Sequence, residues 1–111
     1  MKLLKLSLPS LLFIWVTGLL SANETIFNGK DLSGWSAEDM SYWSVQGGAI
    51  VGTKGDQKIQ GNQFLWYDKK VSDFKLILKV KQVPFAANAG IQFRSIREAN
   101  GHAIGYQADI G

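Results

Sequence analysis

Apolar and polar side chains alternate most cleanly between Phe74 and Val83. Phe74, Leu76, Leu78 and Val80 fall on one side, and Lys75, Lys79 and Lys81 on the other. That is the period of a strand with one face against a core. Pro84 closes the segment, because proline has no N–H to give a ladder. The same period recurs in shorter stretches. Trp43 and Val45 alternate with Ser44 and Gln46, then Gly47-Gly48 signals a tight turn before Ala49-Ile50-Val51. Residues 52–62 are polar and read as a loop, Gln63 to Tyr67 as a short strand, and Asp68 to Asp73 as a turn. Ala89 to Ser95 predicts a further strand, with Ala89, Ile91 and Phe93 on one face and Gln92 and Arg94 on the other. Arg97 to Ile104 reads as a loop and Tyr106 to Ile110 as a last strand. Outside the first residues no segment holds a 3.6-residue apolar period. Short strands separated by turn signals predict an all-β sandwich or barrel.

The first residues follow a different pattern. Lys2 and Lys5 precede a nearly continuous apolar run from Leu6 to Leu20, and the small residues Ser21 and Ala22 lead out of it. A basic start, a short apolar core and a small-residue exit describe a secretory signal peptide. A spanning helix needs about 20 predominantly apolar residues, and Ser7, Pro9, Ser10, Thr17 and Gly18 interrupt this run. The reading is therefore a leader over residues 1–22, cut after Ala22 or after Gly18, and a mature domain over residues 23–111. The expected location is secreted or periplasmic, with no stable membrane insertion after cleavage. The chain has no Cys, which removes a lipid anchor, disulfides and thiol chemistry together.

Loss of Lys2 and Lys5 with the leader lowers the formal net charge from +3 by two. The remaining domain has no basic run suited to nucleic acid. Lysines 69, 70, 75, 79 and 81 read as a solvated face.

Little of the usual catalytic inventory is present. His102 is the single histidine and has no Asp or Glu at metal-ligand spacing, so no metal site is expected. There is no Gly-x-Ser-x-Gly elbow and no Gly-rich phosphate loop before a helix. The polar residues opposite the core side chains carry more. If the last two strands pair, Gln92, Arg94, Gln107 and Asp109 share one exposed face. That face is either a wet outer surface or the concave side of a sandwich. In the second case Arg94 offers a planar fork of donors, and Asp109 a base or a hydroxyl ligand. Trp43 reads as core. Trp66 and Tyr67 are neighbours on one strand, so one of them faces outward and offers a sugar platform. Asn23-Glu24-Thr25 matches a glycosylation pattern, which its place at the cleavage point makes a chance match.

Several short phrases follow one another along the chain: Phe27-Asn-Gly-Lys-Asp-Leu-Ser-Gly-Trp35, Trp43-Ser-Val-Gln-Gly-Gly-Ala-Ile-Val51, Phe64-Leu-Trp66, Asp73-Phe74, Asn88-Ala-Gly-Ile-Gln-Phe-Arg94 and Gly105-Tyr-Gln-Ala-Asp-Ile-Gly111. In order and spacing they resemble the 3-keto-disaccharide hydrolase family. The resemblance implies a jelly-roll sandwich similar to the concanavalin-like lectins and glucanases, and an oxidised glycoside as substrate, with no cofactor. It implies Arg94 as electrophile or anchor at a ketone oxygen and Asp109 as base or hydroxyl ligand, with Gln107 at a further family position; Gln92, Trp66 and Tyr67 are added as substrate contacts from their places on the strands. A noncatalytic carbohydrate-binding sandwich is the alternative. Ala89 stands where the family usually shows Ser. The family domain ordinarily continues past the last phrase. Residues 23–111 are thus expected to be its N-terminal part, with no partner for the strand opening at Tyr106.

Overall fold

The computed structural model describes residues 23–84 and 87–110; the expected leader lies outside the described residues. Among the described residues the fold is all-β, built from antiparallel pairs, with one 3-10 turn at Met40–Tyr42. Its strands are β1 (Trp35–Ser36), β2 (Trp43–Gln46), β3 (Ala49–Gly52), β4 (Trp66–Tyr67), β5 (Ala89–Arg97) and β6 (Ala103–Ile110). No helix among the described residues is long and apolar enough to cross a membrane.

β2 and β3 form a two-residue hairpin in which Gln46 faces Ala49. Gly47 and Gly48 hold φ of 56° and 75°. Two consecutive positive φ values match the twist of the flanking strands, and glycine reaches them without steric cost. At the far end of the hairpin Trp43 pairs with Gly52, and its indole lies where a side chain at Gly52 would project.

β1 pairs with β4, setting Trp35 opposite Tyr67. Their rings meet at 5.1 Å, and the Trp35 indole N–H donates to the Ile26 carbonyl at 2.9 Å. The turn before β1 is organised by two side chains. Asn28 Oδ1 accepts from the Lys30 and Asp31 amides, while Asp31 Oδ1 accepts from the Asn28 side-chain amide and the Ser33 amide. The Asn28 bond, then the Ser33 bonds, hold the Asp31 carboxyl below its usual range.

The apolar core is thin. Tyr42, in the 3-10 turn, is the buried hydrophobic side chain among the described residues. Its carbonyl accepts from the Thr53 amide at 2.9 Å, tying the turn to the end of β3.

Two expectations are corrected here. Residues 74–82 form no ladder, although their alternation is the cleanest in the chain. Alternation sorts side chains between two faces, whereas a strand also needs a neighbouring backbone to bond. Among the described residues no strand pairs with this segment. Phe74, Leu76 and Leu78 still turn to one side, lining an open groove with Ile91, Phe93 and Ala108. Conversely, the last strand is paired: β6 runs antiparallel to β5 along almost its whole length.

Candidate functional site: the polar face of the last hairpin

β5 and β6 form the longest ladder, and its two faces differ in kind. Ile91 pairs with Ala108, Phe93 with Tyr106 and Ile96 with Ile104. The Phe93 and Tyr106 rings stack at 5.8 Å. On the opposite face Gly90 pairs with Asp109 and Gln92 with Gln107.

Phe93 and Ile96 are three residues apart, so in a regular strand they would point to opposite faces. The register shifts between them. Arg94 and Ser95 together oppose Gly105, which is a β-bulge. The bulge inserts one residue and restores the phase, keeping Ile96 with Phe93. Arg94 takes the cost, at a φ of 48°, a left-handed value uncommon outside glycine. Gly105 makes the bulge possible. A Cβ there would lie 2.6 Å from Ser95 Cα and 2.8 Å from the Arg94 carbonyl oxygen.

The bulge decides where the expected site residues go. Arg94 does not join Gln92, Gln107 and Asp109, which corrects the shared face inferred from simple alternation. Its guanidinium pairs with Asp73 at 2.9 Å and lines the apolar groove beside Phe93. Ser95 occupies the place next to Gln92, and its hydroxyl lies 3.1 Å from Gln92 Oε1 and 3.0 Å from the Phe93 carbonyl oxygen, two acceptors for its single hydrogen. Gln92 Nε2 donates to Gln107 Oε1, and Gln107 Nε2 donates to Asp109 Oδ1. Four side chains thus form one continuous row across both strands. Gly90 gives the row room, because a Cβ there would lie 2.5 Å from Gln107 Cδ. The Gln107 side chain lies across the space that the missing Cβ leaves.

The two aromatic candidates lie elsewhere. Tyr67 packs against Trp35 with the two rings tilted by 47°. Trp66 lies with Phe64, 6.4 Å between ring centroids, and its indole N–H donates to the Gly101 carbonyl at 3.1 Å. Arg97 sits over the Trp66 ring at 5.7 Å, donates to Ser36 Oγ at 2.8 Å and lies 3.5 Å from Glu38. Ser36 donates to Asp68 at 2.5 Å. Together these contacts tie the β1–β4 pair to the turn between β5 and β6. Trp66 and Tyr67 therefore serve as joints in the fold, apart from the polar row. His102 packs its ring against Phe64 at 5.9 Å. Among the described residues no three His, Cys, Asp or Glu side chains converge as metal ligands would.

Ser95, Gly90 and Gly105 escape a period-two reading. Their signal lies in the spacing of Ile91, Phe93 and Ile96, one residue out of phase, with a glycine opposite the slip.

Fold and row define an all-β domain presenting amides, a hydroxyl and a carboxylate in one hydrogen-bonded line. The family described as the 3-keto-alpha-glucoside-1,2-lyase-like domain matches residues 22–111. The chain belongs to that family. No curated protein and no solved structure gives a significant match to it.

Proposed function

We propose that the protein cleaves glycosides already oxidised to a ketone at C3, and that the sugar lies on the polar face of β5–β6. The observation that carries this reading is the row itself, in which a carboxylate is oriented by an amide and flanked by further donors. Family membership supports the choice of substrate class.

The chemistry asks little of the protein. A C3 ketone acidifies the hydrogen on C2. Asp109 takes that proton, and the electron pair left on C2 forms a C1–C2 double bond. The C1–O bond breaks with its electrons on the departing oxygen, which takes a proton from water. Addition of water across the double bond then restores the sugar. Asp109 suits the base, since Gln107 Nε2 holds Oδ1 and leaves Oδ2 for the proton. Amide N–H groups of Gln92 and Gln107 suit the ketone and hydroxyl oxygens. Arg94 is assigned to the Asp73 ion pair, on the other side of the hairpin.

The same reading includes a jelly-roll sandwich and export, the latter from the leader pattern. The lectin-like alternative has less support, because the aromatic rings it would use are engaged as joints in the fold.

The test compares 4-nitrophenyl 3-keto-glucoside with the unoxidised glucoside. Release of nitrophenol is expected from the ketone alone, and Asp109→Asn should slow it by about 10²-fold or more. Equal cleavage of both sugars, or a fully active Asp109→Asn, refutes the mechanism.

A further inference from the structure

We infer that Ser95 is a positioning residue of the sugar face: its hydroxyl sets the direction of the hydrogen-bond row and so decides which edges of the Gln92 and Gln107 amides meet the ligand. The sugar assignment rests on the function proposed above; the row does not.

The direction follows from what each group can do. An ionised carboxylate only accepts, so Gln107 must turn its nitrogen towards Asp109. Its oxygen then faces Gln92, which must answer with nitrogen. The Gln92 oxygen is left at the open end and needs a donor. Ser95 is placed to give it, 3.1 Å from Gln92 Oε1, with the Phe93 carbonyl at 3.0 Å as the competing acceptor for the same hydrogen. An amide by itself can turn over and exchange its nitrogen and oxygen. A row of two amides is held only if both ends are fixed, and Asp109 and Ser95 are the two ends.

Direction has a consequence for recognition. Each amide nitrogen carries two N–H groups and uses one in the row. The second is a donor for a ligand oxygen. A ketone oxygen only accepts, whereas a hydroxyl both accepts and donates. A row fixed with its nitrogens turned this way therefore favours a ketone over an unfixed row, which would present carbonyl oxygens part of the time.

The backbone supports the same assignment. A regular strand would put Arg94 beside Gln92. The bulge moves Arg94 away and brings Ser95 in, at the expense of a left-handed Arg94. Such conformations persist where the surroundings over-determine them and cluster at functional sites. Gly105 and Gly90 make room on either side of the row, at its bulge and beneath the Gln107 side chain.

Two measurements on the whole protein test the proposal. The first needs no substrate. In 15N-resolved NMR the side-chain NH2 signals of Gln92 and Gln107 should lie apart from those of a solvated glutamine. Ser95→Ala should collapse the Gln92 pair towards the solvated position and shift that of Gln107. Ser95→Thr, which keeps the hydroxyl, should preserve both. The second measures turnover of 4-nitrophenyl 3-keto-glucoside. Ser95→Ala should raise KM about five- to ten-fold, the scale of one hydrogen bond, with kcat changing less and Ser95→Thr restoring KM.

Unchanged amide signals in Ser95→Ala, or Ser95→Thr behaving as the alanine variant does, would overturn the positioning role. Wild-type protein that shows the expected signals but no turnover would uphold the row and refute the enzyme reading. Turnover with an unaltered KM in Ser95→Ala would retain the enzyme and refute this role.

Discussion

The β5–β6 hairpin and residues 74–82 start from similar patterns and reach different ends. In both, apolar side chains alternate with polar ones, and in the 74–82 segment the alternation is the more regular. Yet β5 and β6 bond to each other along nearly their whole length, with a slip at Arg94–Ser95. Residues 74–82 form no ladder with a strand among the described residues, and 74–81 are exposed, with Phe74 at 50% and Ile77 at 76%. Alternation records how side chains are shared between two environments. Pairing depends on a second backbone, and on the local irregularities that let two backbones stay in register. The less regular sequence makes the better strand because its irregularity is a bulge matched by a glycine.

Gly105→Ala attacks that match directly. The added methyl would meet the backbone at Ser95 and Arg94, and backbone cannot turn aside as a side chain does. A loss of about 1–3 kcal/mol, the range for overpacking, is expected in urea unfolding, together with dissolution of the Ser95–Gln92 bond. Lys79→Ala in the unpaired segment serves as the contrast. It should stay within about 0.5 kcal/mol of wild type, as exposed substitutions generally do. Equal losses at the two positions would erase the distinction between the regions.

Arg94 sharpens the comparison on a smaller scale. Arg94→Gly and Arg94→Ala both remove the ion pair with Asp73. That pair is exposed, with side chains 56% and 97% accessible, and is expected to contribute about 0–1 kcal/mol. Glycine alone is at ease at a φ of 48°. Arg94→Gly should therefore be the more stable of the two by roughly 1 kcal/mol. If the alanine variant is as stable as the glycine variant, the bulge does not rest on a left-handed residue.

The smallest effect belongs to the turn before β1. The Asp31 carboxyl is held below its ordinary value, first by the Asn28 side chain and then by Ser33. A carboxyl depressed on folding contributes stability that is present above its unfolded value and lost as pH falls through its folded value. Asn28→Ala should move the Asp31 titration, followed by carboxyl-carbon NMR, back up towards that of a free carboxylate. An unmoved titration would place the cause elsewhere.

These contrasts show what can be read from residues alone. The all-β class and the β2–β3 hairpin were legible, because Gly47-Gly48 between alternating flanks allows few other conformations. Gln92, Gln107 and Asp109 were legible as one face because alternation is regular along those parts of β5 and β6. Arg94 was not, since a bulge adds one residue and reverses every orientation deduced by counting in twos. Residues 74–82 were misread because no property of a single segment reports its neighbour. The short strand expected over residues 63–67 contracts to Trp66–Tyr67, where Trp35 and Ser36 supply the facing backbone. Trp66 and Tyr67 show the same limit in their side chains. Each faces a different side, but their partners come from residues 35 and 97–101, far away in sequence.

The central claim is that the two faces of the hairpin have separate duties, sugar on the polar row and packing on the apolar groove. Chemical-shift mapping with methyl 3-keto-glucoside tests it most directly. The account predicts that shifts concentrate at Gly90, Gln92, Ser95, Gln107 and Asp109, leaving Phe74, Leu76 and Phe93 unmoved. Shifts centred on Arg94, Phe93 and the groove, with the polar row silent, would contradict it.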